Sequence, residues 1–378
     1  MITRRENLLR VLRHQIPEWV PVTGHCDPYN QPNRKGMDSS LAEALGEVQW
    51  GDMSTVIFSR YLGLDIMDWF GLPAVRVKRR KVEINETFED NSTIRVWHTP
   101  EGDLREVIRT YRDPATGAVS SNWVEHLVKT SRDIPALAAI FEDEIIEADT
   151  NGILRTSERR KFIGDDGLLM GCMEGTPLGM MYRVYSGVAT LAYLWADAHD
   201  ALLDCFKIME ANYLKRLEIG LQSDVDAIVT VDDTSTTAIS PSMFEACNIE
   251  LTNKRADMAH QAGKFYFHHS CGHIRDLLSL YTQTRMDAVD AFTIPPIGNV
   301  TVKEGRKLLC EKITIITGGV DVSRSLYDRT AIRKEIYQLS KEAEPYDHFI
   351  IRIAGYPNRT IEETKFAVDC YRELLQCR

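Results

Sequence analysis

His269 and Cys271 stand one residue apart in the stretch Phe265-Tyr266-Phe267-His268-His269-Ser270-Cys271-Gly272-His273. An imidazole nitrogen and a thiolate sulfur are both zinc donors, and a His-x-Cys pair can place them on one ion. A thiol on zinc is ionised at neutral pH, so such a site makes a nucleophile. A catalytic zinc takes three protein ligands. The pair therefore needs a third donor; without one it is a His and a Cys on a loop.

Further reactive groups follow other apolar runs: His25-Cys26-Asp27, Cys172 with Glu174, Asp232-Asp233, Asp290, Asp321 and Tyr356. A lone carboxylate is costly to bury unless it is paired or binds a cation. Several acids in one cleft suggest a cation or proton transfer. Side chains alternate along a strand, so only one of Asp232 and Asp233 can point inward. Asp233, which opens the loop, is the preferred one, and Asp232 is free to brace a neighbouring loop. Asp233, Asp232 and Glu174 are the candidate catalytic acids. His25, Tyr356 and His268 are the candidate substrate contacts.

These residues must be positioned by repeated units of strand and helix. Apolar runs near residues 19–23, 64–69, 168–172, 225–231, 265–267, 288–292, 313–316 and 349–353 are mostly followed by helical patterns. Such strands, flanked by helices, imply a parallel sheet covered on both faces. Eight units predict an α/β fold, a (β/α)8 barrel, whose active site lies at the strands' C-terminal ends. A doubly wound sheet is the alternative, but no Gly-rich phosphate fingerprint follows the first strand. Residues 75–128 alternate differently and predict an inserted antiparallel β-meander with a turn at Thr99-Pro100-Glu101-Gly102. An acidic helix is expected over 132–147, with helices over 178–196 and 198–220. The whole chain, 1–378, reads as one barrel domain.

Composition narrows the class. The chain has 378 residues, 44% hydrophobic and 26% charged, with a net charge of −10. That balance argues against nucleic acid or an anionic membrane surface as partner. Its eight cysteines form no CxxC and have no regular spacing, which fits a reducing cytoplasm. The charged start Thr3-Arg4-Arg5-Glu6 lacks the apolar core of a signal peptide, and no apolar run approaches the roughly 20 residues a membrane span needs.

The sequence resembles the uroporphyrinogen decarboxylase superfamily. The likeness runs from Thr3-Arg4-Arg5-Glu6-Asn7-Leu8-Leu9 and Pro17-Glu18-Trp19-Val20-Pro21-Val22 through residues 224–233, His269-Ser270-Cys271-Gly272 and Asp287-Ala288-Val289-Asp290 to Gly318-Gly319-Val320-Asp321. It implies the same (β/α)8 barrel. One branch of that superfamily, the porphyrinogen decarboxylases, grips substrate carboxylates with an Arg-rich loop after the first strand. Here that loop begins Thr23-Gly24-His25-Cys26-Asp27, without arginine. The other branch holds zinc-dependent methyltransferases that use cobalamin carried on a corrinoid protein, with zinc on His-x-Cys and a later Cys. His269 and Cys271 match the first half of that motif. Where the later Cys is expected, this chain has Ala354-Gly355-Tyr356-Pro357. The resemblance therefore implies a zinc methyltransferase whose third ligand is Asp290, with Asp321, Asp233 and Cys26 as substitutes. Oxygen in place of sulfur makes the ion more Lewis acidic and favours polarising a methyl donor over alkylating a thiol. A metal-free decarboxylase is the alternative.

Overall fold

The computed structural model describes residues 2–25, 38–46, 53–114, 119–309, 312–317, 328–354 and 360–375. In chain order its strands are β1 (Val22–His25), β2 (Ile66–Gly71), β3 (Val75–Lys78), β4 (Glu83–Glu89), β5 (Ser92–Thr99), β6 (Gly102–Arg112) and β7 (Val119–Glu125). They continue as β8 (Ile145–Ala148), β9 (Gly167–Glu174), β10 (Ala227–Val231), β11 (Phe265–His269), β12 (Ala288–Phe292), β13 (Thr314–Thr317) and β14 (Phe349–Ala354). One eight-stranded sheet runs β1-β14-β13-β12-β11-β10-β9-β2, every pair parallel. The Asp65 amide, just before β2, donates to the Val22 carbonyl of β1 at 2.9 Å. That contact brings the two end strands together, and the fold is the expected (β/α)8 barrel.

Strand alternation divides the core in two. Met67, Leu168, Met170, Ala227, Val229, Phe267, Ala288, Ile316 and Ile350 fill the barrel, and Leu8, Val11 and Leu12 of the helix Arg4–Leu12 close its base. The intervening residues, including Leu169, Ile228, Tyr266, Val289, Ile315 and Ile351, pack outward beneath the helices. Burial on both faces is why these strands read as continuous apolar runs.

The insertion follows β2, at the C-terminal end of the strands. Strands β4 to β7 form an antiparallel meander, with Thr99 paired to Gly102 across the expected turn. The indoles of Trp97 and Trp123 donate to the buried Glu106 carboxylate at 3.3 and 2.7 Å. The helix expected over 132–147 is shorter. It runs Ile134–Glu142, and Asp143 then accepts the backbone amides of Arg80, Lys81 and Val82 at 2.7–2.9 Å. This ties the chain down so that β8 pairs antiparallel with β3. A helix, Thr150–Ile163, leads from β8 to β9. The helix expected over 178–196 is broken into Pro177–Met180, a π-helical turn Met181–Tyr185 and Gly187–Asp197. Gly187 at φ +72° permits the break.

Candidate active site

The interior alternation that builds the core also builds the site. Two residues beyond the apolar layer of Met67, Met170, Phe267, Ala288 and Ile350, the same strands place Trp69, Cys172, His269, Asp290 and Arg352. Period two keeps these on the inward face at the strands' C-terminal ends. The apolar barrel thus ends in a polar layer.

His269 stands at its centre. Its Nδ1 lies 2.6 Å from Asp290 Oδ2, and its Nε2 lies 3.0 Å from Asp233 Oδ1. Asp290 is fully buried, and its Oδ1 takes a 2.6 Å bond from Arg352 Nη1. The Arg352 guanidinium stacks 3.9 Å from the Trp69 ring, which meets the His269 ring edge-on at 5.1 Å. Cys271 donates its thiol to Asp233 Oδ1 at 3.4 Å. Asp233 Oδ2 is held by Arg183 Nε at 2.7 Å.

Burial pulls the His269 imidazole toward its neutral form. Hydrogen bonds to Asp233 and Asp290 outweigh that pull and raise its pKa to about 11. Burial alone would raise both carboxylates, yet both lie below the ordinary range. His269 and Arg183 hold Asp233 down, and Arg352 and His269 hold Asp290 down. Asp233 adopts φ +52°, a left-handed conformation costing about 1–2 kcal/mol and best tolerated by Asn, Asp and Gly. That conformation turns the residue after Asp232 back toward His269.

Among the described residues one group could hold a metal: Asp233, His269 and Cys271, whose ligand atoms lie within 4.8 Å of one another. Oxygen, nitrogen and sulfur donors of this kind suit zinc. The Asp290 bond fixes His269 from behind and turns Nε2 toward the other two donors, as outer partners of zinc-bound histidines do. The donor set therefore fits the ion. The third member of this group is Asp233; the expected Asp290 is not in it, and its oxygens face His269 and Arg352.

Other expected residues fall elsewhere. His268, expected to touch substrate, faces outward from the barrel and is fully buried. Its Nε2 meets Thr234 Oγ1 at 2.5 Å, its Nδ1 lies 3.2 Å from Asp232 Oδ2, and the rings of Phe244 and Tyr281 surround it. Burial lowers its pKa. Asp232, also fully buried on that side, braces the preceding loop by accepting from Thr176 Oγ1 at 2.7 Å. Neither group is open to a substrate. Glu174 pairs with Arg216 and, with Cys172, Leu72, Met173 and Gly220, lines a cavity of about 300 Å³. Cys172 lies in the polar layer, and burial pushes its thiol up to about 12. His25 ends β1 by its backbone; its side chain lies outside the described part, as do Cys26, Asp27, Asp321 and Tyr356.

Trp69, Arg183 and Arg352 are site residues that the sequence reading does not name. Arg352 left a signal, a lone charge at an interior position of Phe349-Ile350-Ile351-Arg352-Ile353. Arg183 left none, because its place depends on a π-helical turn.

The family model for uroporphyrinogen decarboxylase (URO-D) matches residues 159–373, more than half of the chain. No curated protein matches the sequence. Among solved structures, a methyltransferase from Methanosarcina mazei is similar over 99% of both chains, with a TM-score of 0.64 and 16% identity. At that identity the likeness shows the fold. D-psicose 3-epimerase from Clostridium cellulolyticum H10 is similar over 60% of this chain and 85% of its own, at 12% identity and a TM-score of 0.37. The family match, spanning β9 to the last helix and every donor of the Asp233–His269–Cys271 group, establishes that the chain belongs to the uroporphyrinogen decarboxylase family.

Proposed function

We propose that this protein is a zinc-dependent methyltransferase, moving a methyl group between a small methylated substrate, or a thiol or folate-type acceptor, and the cobalamin of a corrinoid protein. The observation that carries the reading is the convergence of Asp233, His269 and Cys271 at the barrel mouth, with His269 braced from behind by Asp290. Zinc held by these three residues would supply a Lewis acid that polarises the heteroatom of the methyl donor or ionises a thiol acceptor. The chain's own residues do the rest. Asp290 fixes the orientation of His269, and Arg352 and Trp69 wall the polar layer beside it. In this reading Asp233 would serve the ion through Oδ1 while Arg183 holds Oδ2, so the carboxylate acts as a ligand and not as the expected catalytic acid. The Methanosarcina mazei methyltransferase of the same fold supports this reading. A cytoplasmic setting is supported by the unpaired state of the five described cysteines. No described helix is long and apolar enough to cross a membrane.

Family membership favours a second reading, metal-free decarboxylation. Substrate carboxylates would need free guanidinium groups, whereas Arg183 and Arg352 are paired with Asp233 and Asp290. Elemental analysis of the purified protein separates the two, together with methyl transfer from methylated small molecules to a free corrinoid. The zinc reading expects one zinc per chain, lost in His269→Ala and Cys271→Ser. A protein without zinc, active on a tetrapyrrole and indifferent to chelators, overturns it.

A further inference from the structure

The π-helical turn Met181–Tyr185 touches the candidate site although nothing in the fold requires it there. Such turns interrupt α-helices and recur at functional sites. This one grips three successive residues at the end of β10. Arg183 Nη1 donates to the Val231 carbonyl, the Tyr182 hydroxyl donates to the Asp232 carbonyl, and Arg183 Nε reaches Asp233 Oδ2 at 2.7 Å. The turn is held from the other side by the insertion. The Val128 amide donates to the Tyr185 carbonyl at 2.8 Å, His126 Nδ1 lies 2.8 Å from the Val184 carbonyl, and the Phe141 ring meets Tyr185 edge-on.

The two oxygens of Asp233 are thereby divided. Oδ2 belongs to Arg183, while Oδ1 lies 3.0 Å from His269 Nε2 and 3.4 Å from Cys271 Sγ. A free carboxylate could rotate or offer both oxygens; one fixed by a guanidinium on one oxygen cannot. We infer that Arg183 is a positioning residue that commits Asp233 to a single metal-facing oxygen, with the β-rich insertion as its buttress. The inference rests on the zinc reading and adds to it the residue that sets how the third ligand binds. Arg183 suits the task because one planar guanidinium can hold a backbone carbonyl and a carboxylate together.

The test uses the full chain and the metals alone. Zinc affinity is measured by competition with a chromophoric chelator, and the cobalt(II)-substituted protein is followed by its visible absorption. In Arg183→Met, zinc should bind about 10- to 100-fold more weakly, the range seen when an outer partner of a metal ligand is lost. The cobalt d–d bands should change while the thiolate charge-transfer band remains, because Cys271 is untouched. Arg183→Lys keeps a cation for Oδ2 and should recover part of the affinity. If Arg183→Met does not fold by circular dichroism, Arg183→Gln takes its place in the same comparison. Wild-type affinity and spectrum in the uncharged variant overturn the inference, as does a Lys variant no better than it. A wild-type chain that binds no zinc overturns the zinc reading itself, and that result is in hand before any variant is made.

Discussion

Loading zinc onto this site should release two protons. His269 Nε2 faces Asp233 Oδ1 at 3.0 Å, and its pKa near 11 keeps the ring an imidazolium at neutral pH when no metal is bound. Cys271 uses its thiol proton to bond the same oxygen at 3.4 Å. Zinc needs a neutral imidazole and a thiolate, so both protons must leave. The carboxylates of Asp233 and Asp290 are held below their ordinary range and add none. Each released proton makes binding about tenfold tighter per pH unit, or about 1.4 kcal/mol. Two protons give about 100-fold per pH unit wherever both groups carry their protons before the metal binds. The sign follows from the folded state: the raised pKa of His269 stabilises the metal-free fold below the ordinary value of 6.5, and this is lost as pH rises through about 11. Metal binding therefore strengthens as pH rises. Isothermal titration at one pH, in buffers of low and high ionisation enthalpy, counts the protons directly. Cys271→Ser and His269→Ala, which lose the zinc, should show no such release. A wild-type release near zero, or one unchanged by Cys271→Ser, refutes the assignment of these donors.

Two substitutions test the surroundings. Asp290→Asn keeps the shape beside His269 but leaves Arg352, only 11% exposed, without its carboxylate. It should lower zinc affinity about 10- to 100-fold and cost about 3 kcal/mol in denaturant unfolding. Gly152→Ala should destabilise by about 3 kcal/mol in the same assay, because a Cβ there would sit 1.7 Å from the Pro73 carbonyl oxygen, a backbone atom unable to yield.

The barrel was legible because strands buried on both faces leave apolar runs, and every run but the one near residues 64–69 ended in a group that chemistry could use. The same alternation allowed only one of Asp232 and Asp233 to point inward, and the preference for Asp233 came from its place at the start of the loop. Alternation also separates His269 from His268, but only once Phe267 is known to point inside, and an apolar run does not say which of its faces is interior. Asp290 was correctly placed at the mouth, yet its role was not legible: the sequence cannot show that Arg352, 62 residues later, claims one of its oxygens. The helix Thr150–Ile163 left little periodic trace, since Gly152 and a run of polar residues dilute its apolar face. Strand β8 is four residues long and is fixed by pairing with β3, not by its own pattern.

The charges at the mouth bear on what chelation would do. Without metal, the two N–H groups of the His269 imidazolium bond Asp233 and Asp290, while Arg183 and Arg352 hold their outer oxygens. Loading zinc removes two protons and adds two positive charges, so the net charge of the cluster is unchanged. A buried cluster that must not change its charge needs little reorganisation, whereas an uncompensated charge in a protein interior is expensive. Structural zinc sites behave differently: the metal supplies the folding energy, and its loss unfolds the domain. Here the barrel interior is closed by Met67, Met170, Phe267, Ile316 and Ile350 below the polar layer, without help from the ion. A chelator should therefore abolish methyl transfer while leaving the far-ultraviolet circular dichroism and the cooperativity of unfolding in place. Unfolding on metal removal would mean that the three donors carry the fold, and the picture of a prebuilt mouth that accepts zinc in exchange for protons would fail.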